Sequence, residues 1–118
     1  MTMIYHLAKQ AAWAEAQRRG VYRGAPADRA DGFLHFSTAA QIVDSAAIHR
    51  TGEADLMLVA TQAAALADDL RWEASRSGKL FPHLYGDLPL DRVAWAKPLP
   101  LGPDGRHMFP PLDGENAA

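Results

Sequence analysis

The chain is predicted to fold as a single α+β domain, and three observations carry that prediction. Residues 55–61 form a near-continuous aliphatic run (Leu56, Met57, Leu58, Val59, Ala60), as expected of a strand buried on both faces. Two upstream segments repeat apolar residues at helical spacing. Short alternating stretches at residues 3–7, 32–38 and 70–74 read as further strands. With 118 residues there is room for one sizeable core and little more.

Taken in order, residues 3–7 form a first strand, with Ile4 and His6 on one face and Tyr5 on the other. Residues 9–19 are rich in Ala and Glu, place Ala12, Trp13 and Ala16 at helical spacing, and close on Arg18, Arg19 and Gly20 as a helix end should. Residues 21–24 read as a short extended piece, and residues 25–32 as a polar loop carrying Pro26 and three charges. Residues 32–38, Gly-Phe-Leu-His-Phe-Ser-Thr, read as a strand feeding a helix and organise the rest of the chain. Leu34 and Phe36 face one side, and Phe33, His35 and Ser37 the other. Thr38 with Gln41 makes the capping-box pattern of a helix start, worth about 1 kcal/mol. Ala39, Ile42, Val43, Ala46 and Ala47 continue that helix, with Gly52 placed as its C-terminal glycine.

After the central strand, residues 63–69 suit a single turn. Residues 70–74 alternate, which directs Leu70, Trp72 and Ala74 to the core and Arg71 and Glu73 to a cleft or solvent. Residues 75–91 read as a loop interrupted by Gly and Pro around the aromatic run Phe81-Pro82-His83-Leu84-Tyr85-Gly86. Residues 92–97, with Val93 and Trp95 on one face, form a last strand ended by Pro98 and Pro100. The domain is placed at residues 1–101, followed by a loosely held Pro/Gly-rich tail at 102–118.

Composition narrows the function. The chain has no cysteine, which excludes disulfides, thiolate zinc sites and cysteine nucleophiles. A formal charge of −2 lacks the basic excess of a face that reads duplex phosphates. No apolar run approaches membrane-spanning length, so the cytoplasm is the expected location. No G-x-S-x-G, H-E-x-x-H, P-loop or G-x-G-x-x-G pattern occurs. The candidate site residues are His6, His35 with Ser37 and Thr38, Arg71 and Glu73, and Phe81, His83 and Tyr85. His49 and His107 read as ordinary solvent-facing residues.

Ile4-Tyr5-His6, residues 32–38, Gln41, residues 55–59, Arg71-Trp72-Glu73 and residues 81–86, in this order and spacing, resemble the bacterial family called domain of unknown function 952. The resemblance spans Ile4 to about Leu99. Grouping of that family with ADP-ribosyltransferase-like proteins implies a small, split, mostly antiparallel sheet with two main helices and a cleft that takes NAD as a substrate. ADP-ribosyl transfer passes through an oxocarbenium-like state, so a carboxylate, polar groups at the ribose and an aromatic cover for nicotinamide are implied. The resemblance makes Glu73 the carboxylate and gives His35 the ribose. Ser37 and Thr38 brace the wall, Tyr85 or Phe81 covers nicotinamide, His6 or His83 lines the rim, and Arg71 adds a ligand contact.

Each of these residues also has a structural reading: a hydrogen-bonded inner histidine, a Glu73–Arg71 pair, a cap at Thr38, an anchored loop at His83 and Tyr85. Two other functions stay open at the level of sequence. One is a non-catalytic module that binds a nucleotide or other metabolite in the same cleft, or a protein partner through the Phe81 to Tyr85 loop. The other, ranked last, is a metal enzyme using His6, His35, His83 and Glu73.

Overall fold

A computed structural model describes residues 2–75 and 78–112 of the chain. Its first strand, β1 (Met3–Lys9), is followed by helix α1 (Gln10–Arg19), strand β2 (Val21–Tyr22) and a short helix α2 (Pro26–Asp31). Then come β3 (Leu34–His35), β4 (Ser37–Thr38) and helix α3 (Ala39–His49). The central strand β5 (Leu56–Gln62), a 3-10 turn (Ala63–Leu66), β6 (Leu70–Ala74), β7 (Leu80–Leu84), β8 (Leu88–Pro89) and β9 (Val93–Leu99) complete the order. The strands make a four-stranded antiparallel sheet, β4-β1-β5-β9, a three-stranded antiparallel sheet, β3-β7-β6, and the small pair β2-β8. The fold is therefore α+β with mainly antiparallel pairing.

The aliphatic run at β5 lies between β1 and β9 and is buried on both faces, as its composition requires. Side-chain alternation along β1 divides the core in two. Ile4 and Ala8 join Trp13 and Ala16 of α1, together with Tyr22, Leu34, Phe36 and Leu84. Tyr5 and Leu7 join Ile42 and Ala46 of α3, together with Leu56, Leu58 and Leu99. The two long helices thus cover opposite faces of the four-stranded sheet, each through a narrow apolar stripe.

Several elements differ from the sequence reading. The expected polar loop at 25–32 contains α2: Pro26 opens the helix, the Ala25 backbone N–H donates to Asp28 Oδ2 at 2.7 Å, and Gly32 closes it at φ 85°. The expected aromatic loop contains β7, the middle strand of its sheet. Pro82 is tolerated there because its carbonyl faces the Phe36 N–H at 3.0 Å, so its missing donor also faces that side, past the last β3 pair. Trp72 and Ala74 are exposed rather than core-facing, since β6 is an edge strand covered only near Leu70. α3 ends at His49 with Arg50 as its C-cap, and Gly52 falls in the turn beyond. β9 runs on through Pro98 because it is a sheet edge, where one side needs no donor.

The expected loose tail is packed over its described part. Leu112 is buried beside Leu99, and His107 Nε2 donates to the Glu53 carbonyl at 2.8 Å, so His107 is not simply solvent-facing. The rest of that tail lies outside the described residues. No described helix is long and apolar enough to cross a membrane.

Candidate functional site: a histidine-lined cleft between the sheets

The segment 34–38 changes sheets in the space of one residue. Leu34 and His35 pair with Leu84 and His83 of β7, whereas Ser37 and Thr38 pair with Tyr5 and Ile4 of β1. Phe36, buried between them, anchors the crossing. This step brings His6, His35 and His83 from three strands to one cleft of about 770 Å³. Thr38 caps α3 as expected, its N–H donating to Gln41 Oε1 at 3.0 Å, and it does not line the cleft. Ser37 does line it and shares a 3.2 Å hydrogen bond with Ser45 of α3.

His6 is fully enclosed. Its Nδ1 lies 2.7 Å from the His35 carbonyl, which only accepts, so Nδ1 carries the proton. Nε2 then accepts from the Tyr22 hydroxyl at 2.9 Å. Burial lowers the His6 pKa, and burial likewise raises that of Tyr22, so the pair stays neutral with a defined tautomer.

His35 is the opposite case. Nδ1 lies 2.6 Å from Asp28 Oδ1 and Nε2 2.9 Å from Asp31 Oδ2. Two carboxylates accept from both ring nitrogens, so the imidazole is a cation with its pKa raised chiefly by the Asp28 hydrogen bond. Asp28 is 4% exposed. Burial pushes its carboxyl up, but His35 and the backbone N–H groups of Ala25 and His35 outweigh this and hold it at about 2. Gly24 makes room for this carboxylate: at φ +89° a Cβ there would stand 2.8 Å from Asp28 Cβ and 2.4 Å from Leu34 Cδ2.

Beside the cleft, Glu73 Oε1 accepts from His83 Nδ1 at 2.8 Å and from the Tyr85 hydroxyl at 2.7 Å. The His83 bond, then the Tyr85 bond, lowers the Glu73 pKa. The Arg71 guanidinium lies over the Tyr85 ring, 5.1 Å from its centroid. Phe33 stacks on His83 with centroids 4.1 Å apart.

The structure thus brings His6, His35, Ser37, Phe81 and His83 together around the cleft, and leaves Thr38, Arg71, Glu73 and Tyr85 out of its lining. Glu73 is joined to the lining residue His83 by a hydrogen bond, and the Tyr85 hydroxyl donates to Glu73. His6, His35, His83 and Glu73 do not form a ligand set for a metal: both ring nitrogens of His6 and of His35 are engaged by protein groups, and Glu73 Oε1 accepts from His83 Nδ1 and Tyr85. No group of three or more His, Asp or Glu among the described residues is placed to hold an ion. The residues that sequence reasoning missed are Asp28, Asp31 and Tyr22. The one available signal was Asp28 at the third position of a helix opened by Pro26, where a carboxylate can accept the N–H that precedes the helix.

Comparison with known proteins completes the picture. The family model described as "Protein of unknown function (DUF952)" matches residues 7–96. The chain belongs to this family. The crystal structure of protein CC0527 from Caulobacter crescentus is 41% identical, with a TM-score of 0.86 over 91% of this chain and 94% of that one. The solution NMR structure of the same Caulobacter protein is 42% identical, with a TM-score of 0.81 over 90% and 91% of the two chains. Curated proteins give no significant match. The segment matched by the family model holds every cleft residue except His6.

Proposed function

We propose that the cleft takes an NAD-class dinucleotide and that the protein acts on the bond between nicotinamide and ribose, as an ADP-ribosyltransferase-like enzyme or NAD glycohydrolase. The observation that carries this reading is the cleft at the parting of two sheets, about 770 Å³ in volume and lined by both aromatic and ionised groups. That volume lies within the usual range for small-molecule sites. Phe81 offers a face for a flat ring, and Asp31 supplies a carboxylate 55% exposed at the cleft. Breaking the nicotinamide bond leaves positive charge on the ribose, which a nearby carboxylate stabilises. Asp31 therefore takes the electrostatic role that the resemblance assigned to Glu73, whose carboxylate lies outside the lining.

A second reading, a non-catalytic module in the same cleft, is favoured by one observation: both ring nitrogens of His35 are engaged by aspartates, leaving none for a ribose hydroxyl. Calorimetric titration with NAD and an assay for released nicotinamide separate the two. Binding with release supports the enzyme, and binding without release supports the module. Ser45→Trp fills the cleft and should weaken binding at least tenfold. No NAD binding by the wild type refutes both as nucleotide readings.

A further inference from the structure

Among the histidines that reach the cleft, the hydrogen bonds assign different capacities. His6 and His35 have both ring nitrogens engaged by protein groups. His49 is exposed on the last turn of α3 and has no hydrogen-bond partner among the described residues to fix its tautomer. His83 alone combines a carboxylate on one nitrogen with an open second nitrogen. Its Nδ1 faces Glu73, an acceptor, and therefore carries the proton. Nε2 then holds a lone pair and has no partner among the described residues. Among the described residues no buried side-chain N or O lacks a partner, so this atom is in contact with solvent. The side chain is 12% exposed and lines the cleft.

The rest of the ring is held still. Phe33 stacks on one face. Glu73, which fixes Nδ1, is itself held by the Tyr85 hydroxyl, and Tyr85 by the Arg71 guanidinium. All of these side chains come from the same face of the β3-β7-β6 sheet, where His83 is paired with both His35 and Arg71. A carboxylate that orients an imidazole and stabilises its protonated form is the arrangement by which histidine serves as a base.

We propose that His83 is the base of this site, with Glu73 as its positioning residue, and that the acceptor of the transferred group is an O–H compound, water or an alcohol. This rests on the NAD reading above. A lone pair at Nε2 can accept a proton from an O–H nucleophile, whereas a carboxylate acceptor brings no proton to remove. In the step, the acceptor oxygen forms its bond to ribose C1′ as its proton passes to His83 Nε2. The bond from C1′ to the nicotinamide nitrogen breaks, and its electron pair leaves with that ring, which becomes neutral. No oxidant or reductant is needed.

The test has two arms. Long-range proton–nitrogen NMR of the His83 ring, without any ligand, should show the Nδ1–H tautomer in the wild type and its loss in Glu73→Ala. In the second arm, His83→Asn should leave the NAD dissociation constant within about threefold and reduce nicotinamide release about 10²-fold. Added methanol then distinguishes the acceptors: ADP-ribose alone as product marks water, and a methyl ADP-riboside marks an alcohol-accepting site. An Nε2–H tautomer in the wild type, or undiminished release by His83→Asn, overturns the role of His83 while the NAD reading stands. Absence of release by the wild type overturns the acceptor assignment together with the enzyme reading, even with the Nδ1–H tautomer intact.

Discussion

Replacing Asp28 by Asn tests whether a buried carboxylate organises the floor of the cleft. Asp28 accepts from the Ala25 N–H at 2.7 Å, from the His35 N–H at 3.1 Å and from His35 Nδ1 at 2.6 Å. Asn has nearly the same volume, so no cavity enters the comparison, but its NH₂ end cannot accept and at least one of those donors loses its partner. The carboxyl is held at about 2 against an ordinary 3.8. That difference is worth about 2.5 kcal/mol in favour of the folded state. Asp28→Asn should therefore destabilise by about 2 kcal/mol, or roughly 8 °C in Tm for a domain of this size.

The sign of the pH dependence follows from both partners. A depressed carboxyl stabilises fully above its unfolded value of 3.8 and loses that contribution as pH falls toward about 2. The raised imidazole of His35 stabilises fully below 6.5, and its contribution disappears as pH rises through the higher folded value. The deficit of Asp28→Asn should be widest between these limits, around pH 5, and shrink at pH 3 and at pH 9. Urea unfolding followed by circular dichroism at the three pH values measures it. Equal midpoints at pH 5, or a deficit that grows on acidification, would refute the account of the Asp28–His35 pair.

Three further outcomes follow from the same geometry. Gly24→Ala should cost roughly 1–3 kcal/mol in urea unfolding, because the left-handed backbone and the close Asp28 and Leu34 atoms both oppose a Cβ; wild-type stability would show that the loop shifts freely. Tyr22→Phe leaves buried His6 Nε2 without its donor and should cost about 1–3 kcal/mol, read as a Tm decrease, with an unchanged Tm contradicting the assigned tautomer. Ile48→Ser, at a side chain 70% exposed, should change stability by no more than about 0.5 kcal/mol; a larger loss in the same denaturation assay would mean that this helix face is covered.

The parts of the fold that were legible in the sequence are those set by local pattern. The period-two burial of β1, the aliphatic run of β5, the helical spacing in α1 and α3 and the Thr38 cap follow from the geometry of one strand or one helix turn. Trp72 shows the limit. Alternation correctly put Leu70, Trp72 and Ala74 on one face, but whether that face is covered depends on β6 being an edge, which is a property of the assembled sheet. β7 shows another, since Pro82 reads as a break until Phe36 is known to lie opposite its carbonyl.

By itself, then, the sequence determined the long elements β1, α1, α3 and β5 but not α2 or β7, together with the absence of cysteine chemistry, the family and the residue types available for a site. It nominated His6, His35, Glu73 and His83, four residues that do meet in one connected network or beside it. Only the tertiary structure decided their states. Hydrogen-bond donors and acceptors across β1, β3, β6 and β7 put the proton of His6 on Nδ1, set both ring nitrogens of His35 against carboxylates, turn His83 Nδ1 to Glu73, and leave Glu73 outside the cleft lining. Protonation depends on which charges and dipoles stand within about 3 Å, and those neighbours are as many as 29 residues away in the chain.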